Sequence, residues 1–276
     1  MATIFKNPAL PDYFLDLPEV TADRTPARSY VPEYEAPKLL CFPNLKFNID
    51  HQFWADLPSD LYPGMKKFLC HIDEERQGEL IQRALHKAQA PAALHRALWW
   101  QVSSLLEQVM PIYYALFRGY SFSSRRVNFR LNTTLNENLH FDTYKQDYPE
   151  HFARMFINID TQPRIWHTSY TVEEISRRFG RTVDPTKRDS ASASRFWREL
   201  NNAAFGKDVE TPQPRHVIYF DPGDVWVVES RQVSHQIFYG RRAVSIDFFV
   251  PVADMLDPSL HYLALSERYR AAALAP

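Results

Sequence analysis

His140-Phe141-Asp142 sets an imidazole and a carboxylate two residues apart. In an extended run both side chains would leave the same face. One H-x-D is within chance expectation for a chain with 10 His, so its weight comes from a partner. His235 stands 93 residues after Asp142, in ESRQVSHQIFYGRRAVSIDFF. Two imidazoles and one carboxylate on adjoining strands make a 2-His-1-carboxylate facial triad, which holds Fe(II) and leaves three positions open. Two open positions suit a bidentate 2-oxo acid and the third suits dioxygen. His151, His167 and His216 have no carboxylate two residues away on the same face and are read as structural. Glu229, shortly before His235, is a candidate supporting partner.

The elements that must position these residues follow from periodicity. From Ser124 onward the pattern is that of strands: VNFRLNTTL alternates Val127, Phe129 and Leu131 against Asn128, Arg130 and Asn132. Further strand-like runs are 154–160, 215–221, 224–230 and 241–250. Asp221-Pro222-Gly223-Asp224 is a strong turn ahead of the apolar run Val225–Val228. A helical insert near 170–205 opens on a capping box, Thr171 with Glu174. Upstream, 58–119 is expected to be helical support: one helix over Gly64–Ala90, broken at Pro91, and a second over Ala92–Leu116. Residues 1–57 are proline-rich with interleaved aromatics and should wrap the body without long helices. Residues 253–276 should close the chain as a helix. Together this predicts one structural domain of the α+β class, a double-stranded β-helix (jelly-roll) core over 120–252 with supporting helices.

Composition narrows the classes. The chain has 276 residues, 45% apolar and 24% charged, which is ordinary globular usage. Its net charge of −1 gives no field that would draw nucleic acid. Only 7 glycines occur, with no GxGxxG and no P-loop. Cys41 and Cys70 cannot build a disulfide framework and fit a reducing compartment. No apolar stretch of 18 residues and no secretory leader are present, so the expected location is cytoplasmic, with at most peripheral contact at the inner membrane. Arginine outnumbers lysine 23 to 9, which suits carboxylate and phosphate recognition as well as a high-GC genome.

The stretch from Asp221 to Ser245 resembles the end of the barrel in 2-oxoglutarate/Fe(II) dioxygenases, where the distal His is followed by an R-x-A-[VI]-[ST] strand. The resemblance implies that an arginine of Arg241-Arg242-Ala243-Val244-Ser245 pairs with the far carboxylate of 2-oxoglutarate. If the strand extends that far, Arg241 shares a face with Ala243 and Ser245, and Arg242 lies with Val244, Ile246 and Phe248. A cosubstrate needs a basic group beside small or hydroxyl side chains, which favours Arg241 with Ser245 and keeps Arg242 as the alternative.

The wider layout resembles the Kdo hydroxylases, bacterial dioxygenases that hydroxylate the 3-position of 3-deoxy-D-manno-oct-2-ulosonic acid on lipid A. The matching features are a strand with Arg130 leading into Leu139-His140-Phe141-Asp142, then Phe156–Asp160, Pro163–Trp166, and Asp221 to His235, with an outlying patch at 39–47. Asn138 stands where a basic residue is expected. The resemblance implies Fe(II), 2-oxoglutarate as cosubstrate, dioxygen, and an anionic, lipid-linked sugar. Candidate substrate contacts are Arg126, Arg130, Arg154 and Arg164, with Asn128, Asn158 and Trp166. Two other readings stand beside it: the same chemistry on a soluble amino acid or natural-product intermediate, and a jelly-roll carbohydrate-binding protein without catalysis.

Overall fold

The computed structural model describes residues 1–58, 63–143, 150–183, 193–206 and 211–274. It is a mixed α+β architecture built on two large, almost wholly antiparallel sheets. The strands are β1 Thr3–Phe5, β2 Phe14–Asp16, β3 Leu39–Cys41, β4 Lys67–His71, β5 Ser124–Arg130, β6 Thr134–Leu135, β7 His151–Asn158, β8 Arg164–Thr171, β9 His216–Phe220, β10 Val225–Val227, β11 Val233–Gly240 and β12 Ala243–Val250. One sheet runs β1-β9-β8-β11-β6 and the other β2-β3-β10-β7-β12-β5-β4. Among the described residues only the short β2–β3 pair is parallel.

The two sheets face each other across aromatic packing. Phe156 and Trp226 of the larger sheet meet Trp166 and Phe220 of the smaller, with the Phe220 and Trp226 rings stacked at 3.8 Å. On its other face the larger sheet packs against helices. All eight residues of β12 are buried, and its alternation decides what each face does. Val244, Ile246, Phe248 and Val250 enter the helix-backed core, whereas Ala243 and Ser245 face the interior between the sheets.

The helices are α1 Val31–Glu35, α2 His51–Asp56, α3 Gln77–Lys87, α4 His95–Leu116, α5 Val172–Phe179, α6 Ala193–Phe205 and α7 Tyr262–Leu274. The long α4 supplies Leu98, Val102, Leu105 and Val109 to the core, and its Tyr113 ring lies 4.6 Å from Phe248. Helices α5, α6 and α7 share a second core around Ile175, Phe196 and Leu200. The expected capping box is present: Thr171 accepts from the Glu174 amide, and Glu174 accepts from the Thr171 amide. Residues 184–192 of that insert lie outside the described residues, as do 59–62 of the expected helical support. Among the described residues no helix is long and apolar enough to cross a membrane.

Two expectations are corrected. Gly64–Ala90 is not one helix: Lys67–His71 is an edge strand paired with β5, and only Gln77–Lys87 is helical. Phe68 and Cys70 are buried while Lys67, Leu69 and His71 are exposed, an alternation with period two. The closing helix begins at Tyr262, after two short 3-10 turns. Within the proline-rich start, β1 adds to the smaller sheet and β2–β3 to the larger.

Candidate active site

His140 is brought to His235 by backbone pairing. Each residue's amide donates to the other's carbonyl, at 3.0 and 2.8 Å, so the imidazoles come together with ring centroids 4.7 Å apart. His140 is an isolated bridge and Asp142 lies just beyond it, held by its amide donating to the Ser230 carbonyl at 2.9 Å. The expected regular H-x-D strand is therefore a single bridge, yet it brings the same three side chains together.

Tautomers are fixed by carbonyl oxygens, which can only accept. His140 Nδ1 donates to the Asn138 carbonyl at 2.7 Å, and His235 Nδ1 to that of Val233 at 3.4 Å. In each ring Nε2 is then the nitrogen left to face the space shared with Asp142. Asn138 acts here through its backbone, so the missing basic side chain does not disturb the ligand. The two Nε2 atoms lie 3.6 and 3.9 Å from Asp142 Oδ1, and the ligand atoms all fall within 4.8 Å of one another. One ion with bonds of about 2.1 Å spans such a set after small side-chain shifts, so the donors fit a divalent transition metal.

Asp142 Oδ2 faces away from the histidines. It accepts from Ser230 Oγ at 2.7 Å and from Arg154 Nη1. Arg154 also donates through Nε to Asp247 Oδ1 at 2.6 Å, and Asp247 Oδ2 accepts from Asn128 at 2.8 Å and from Ser245 at 3.1 Å. Burial pushes the Asp142 carboxyl up, but the Arg154 guanidinium and the histidines hold it well below the usual range. His235 is pushed down to about 3 by burial and then by His140. Burial also lowers His140, yet Asp142 outweighs it and raises the imidazole to about 9. The raised His140 thus holds a proton that a bound cation would replace.

The triad opens on a cavity of about 90 Å³ that also touches Arg130, Arg164, Phe156, Trp166 and Ser245. Trp166 stacks on His235, with centroids 5.2 Å apart and planes at 22°. Arg164 is buried, and its Nε has no hydrogen-bond partner. Burial and then the Arg130 charge bring its guanidinium down to about 9. Neither arginine forms an ion pair among the described residues. Of the three guanidiniums on the cavity wall these two are unpaired, one with an orphaned buried N–H, and they fit an anionic cosubstrate, with Glu137 on the same wall.

The two arginines after Gly240 are placed differently from expectation. Arg241 pairs with Asp160 at 3.3 Å and donates to the Ala55 carbonyl at 3.0 Å. Arg242 is buried and donates to the carbonyls of Trp54, Leu57 and Leu131. Neither touches the cavity. The strand starts at Ala243, so the alternation that puts Ala243 and Ser245 inside does not extend back to Arg241. Arg154 is likewise engaged by two carboxylates instead of being free for substrate. Asn128 is spent on Asp247. Asn158 donates to the Gln162 and Phe220 carbonyls at 2.9 Å, fixing the turn after β7. Arg126 lies over the Phe249 ring at 4.0 Å and does not line the cavity. Sequence reading missed Ser230 and Asp247, whose roles depend on contacts between distant strands.

Two neutralisable imidazoles and a carboxylate gripped through one oxygen, at the mouth of a basic cavity between two sheets, are the arrangement of a mononuclear non-haem metal enzyme. A family model for 3-deoxy-D-manno-oct-2-ulosonic acid (Kdo) hydroxylase matches residues 19–203, and the chain belongs to that family. The match stops short of His235, which is tied to the site by geometry alone. No curated protein matches the sequence significantly. Among solved structures, the apo form of the Kdo hydroxylase KdoO, a non-heme Fe(II) alpha-ketoglutarate dependent dioxygenase, aligns with a TM-score of 0.72 at 18% identity, covering 93% of this chain and 95% of that one. KdoO in complex with succinate and Fe(III), and with alpha-ketoglutarate and Fe(III), aligns over the same shares with a TM-score of 0.71, at 18% and 17% identity. At this identity the likeness is one of fold.

Proposed function

We propose that the protein is an Fe(II)- and 2-oxoglutarate-dependent hydroxylase of the Kdo sugar, and that its two facing sheets form a double-stranded β-helix. The observation that carries the chemistry is the convergence of His140 Nε2, Asp142 Oδ1 and His235 Nε2 beside two guanidiniums that form no ion pair among the described residues, with Glu137 also on the cavity wall. A sugar-binding protein without catalysis needs neither feature. In this reading His140, Asp142 and His235 hold iron. Arg164, with Arg130 beside it, takes the far carboxylate of 2-oxoglutarate in place of Arg241. Ser245 lies on the same cavity wall.

When bound, iron with 2-oxoglutarate and dioxygen supplies the oxidising power that inserts one oxygen into a C–H bond, with succinate and carbon dioxide as co-products. The chain supplies the rest. Ser230 and Arg154 occupy Asp142 Oδ2 and so present Oδ1 alone. Trp166, Phe156 and Ile237 supply the apolar part of the cavity wall. At about 90 Å³ the cavity is well below the roughly 300 Å³ of an ordinary ligand pocket, so it suits the cosubstrate while the sugar approaches over its mouth. Contact with a lipid surface is peripheral in this reading, at the cytoplasmic face.

The test is to incubate the purified protein with Fe(II), ascorbate and 2-oxoglutarate and either Kdo-bearing lipid A or free amino acids. A one-oxygen mass gain on the sugar is expected, and Asp142→Ala should abolish it together with iron retention. Oxidation of an amino acid with none on the sugar would overturn the substrate. Full iron occupancy in Asp142→Ala would overturn the triad.

A further inference from the structure

Strand pairing carries the interior face of the larger sheet outward from the metal site to the sheet edge. Across β7, β12, β5 and β4 the paired residues form rows: Asn158, Ala243, Arg130, Lys67; then Phe156, Ser245, Asn128, Leu69; then Arg154, Asp247, Arg126, His71. Residues opposite one another on paired strands share a face. Arg154, Phe156, Ala243, Ser245 and Arg130 of these rows line the cavity. The outer ends, Lys67, Leu69 and His71, are exposed. Arg83 and Lys87 of α3 border the same edge, and with Lys67, Leu69, His71 and Asn128 they line an open trough of about 510 Å³.

No Asp or Glu lines this trough. Arg83 has an exposed partner in Glu79. Lys67, Lys87, Arg126 and Arg130 form no ion pair among the described residues. Arg126 is next to His71 in its row, and its Nε is buried with no hydrogen-bond partner. A chain of net charge −1 thus gathers six basic side chains on one strip that begins at the metal cavity.

We propose that this trough is a second substrate subsite, taking a phosphate group on the part of the molecule that extends from the sugar being hydroxylated. This rests on the sugar hydroxylase reading above and adds a site to it. From β12 to β4 are two strand spacings, about 10 Å in all, so the phosphate lies within about two sugar units of the reacting carbon. Unpaired cations at a trough whose own lining holds no acid suit a group of charge near −2 better than a second lone carboxylate. Leu69, 36% exposed in the middle of the strip, offers apolar contact to the sugar ring between the two sites.

The experiment compares Kdo-bearing lipid A that keeps its phosphates with the same lipid after dephosphorylation, using wild type and the double variant Lys67→Glu/Lys87→Glu. Both lysines are exposed, so the fold should tolerate the exchange. Wild type should show a KM at least tenfold lower for the phosphorylated lipid at low salt, with the advantage shrinking as salt screens the strip. The variant should lose that advantage through KM, with kcat on the dephosphorylated lipid and the KM for 2-oxoglutarate unchanged. Equal KM values for the two lipids in wild type, or an equal loss on both in the variant, overturn the subsite alone. Hydroxylation of neither lipid overturns the sugar reading and the subsite with it.

Discussion

One oxygen of Asp142 is committed to Ser230 and Arg154 while the other faces both Nε2 atoms. That division lets a single carboxylate serve as a one-atom ligand and leaves room for a chelating cosubstrate. The same logic of commitment separates the arginines. Arg241 is occupied by Asp160 and a carbonyl, whereas Arg164 is buried beside Arg130 with an orphaned N–H. Removing one partner of a buried charged pair costs about 2–5 kcal/mol. Arg164→Met is therefore expected to raise the KM for 2-oxoglutarate by about thirtyfold or more, with Arg241→Ala within about threefold of wild type. Steady-state kinetics at saturating sugar substrate reads this directly, and the reverse order would restore Arg241 as the anchor. Gly240 gives an independent check. A Cβ there would sit 2.4 Å from Arg164 Nη1 and 2.9 Å from its Cγ, too close for the side chain to stay. Gly240→Ala should raise the same KM without releasing iron, measured by metal content after desalting.

At the scale of elements, Arg242 ties the start of β12 to the end of α2. The carbonyls of Trp54 and Leu57 belong to the C-terminal turn of that helix, where backbone acceptors lack intrahelical donors and a cation is favoured. Arg242→Ala would leave three buried carbonyls without their donor. A loss of about 3 kcal/mol of stability is expected, read as a lower urea midpoint, while Arg241→Ala, which leaves the buried Asp160 carboxylate without its ion pair, should cost about 1–3 kcal/mol. A midpoint unchanged by Arg242→Ala would show that α2 docks without it. These roles were hidden in the sequence because both arginines sit just outside the strand whose alternation was used to sort them. The edge strand β4 was hidden for another reason. Met65, Phe68, Leu69 and Ile72 satisfy helical spacing as well as Phe68 and Cys70 satisfy alternation, and a run that short does not choose. Strand β8 gave no signal because Arg164, Trp166, Thr168 and Tyr170 on one face are no more apolar than Ile165, His167 and Ser169 on the other. By contrast, the H-x-D pair of His140 and Asp142, the capping box at Thr171 and the two faces of β12 follow from local spacing, and His235 from the context that surrounds it.

Over the whole molecule, burial sets the response to acid. His151, His167, His216, His235 and His261 are all held below the ordinary imidazole value, each first by burial. His151 falls to about 3 and His261 to about 4. An unfolded chain protonates these rings near pH 6.5, whereas the folded chain keeps them neutral to much lower pH. Between those limits the unfolded state binds more protons, so stability rises with pH and is lost as pH falls below about 6.5. Carboxylates such as Glu229, held below their ordinary value, add to the loss only further down. His151 isolates the effect because it is fully buried and is not one of the three triad residues, with Glu229 at 3.4 Å and His261 across a 6.4 Å ring contact. A histidine that protonates only on unfolding contributes about 1.4 kcal/mol per pH unit at most. The urea midpoint should therefore fall steadily from pH 6.5 to pH 5 at fixed ionic strength, and His151→Leu should make that fall shallower by up to this amount. A slope unaltered by the substitution would mean that His151 takes up its proton in the folded chain, against the burial seen around it.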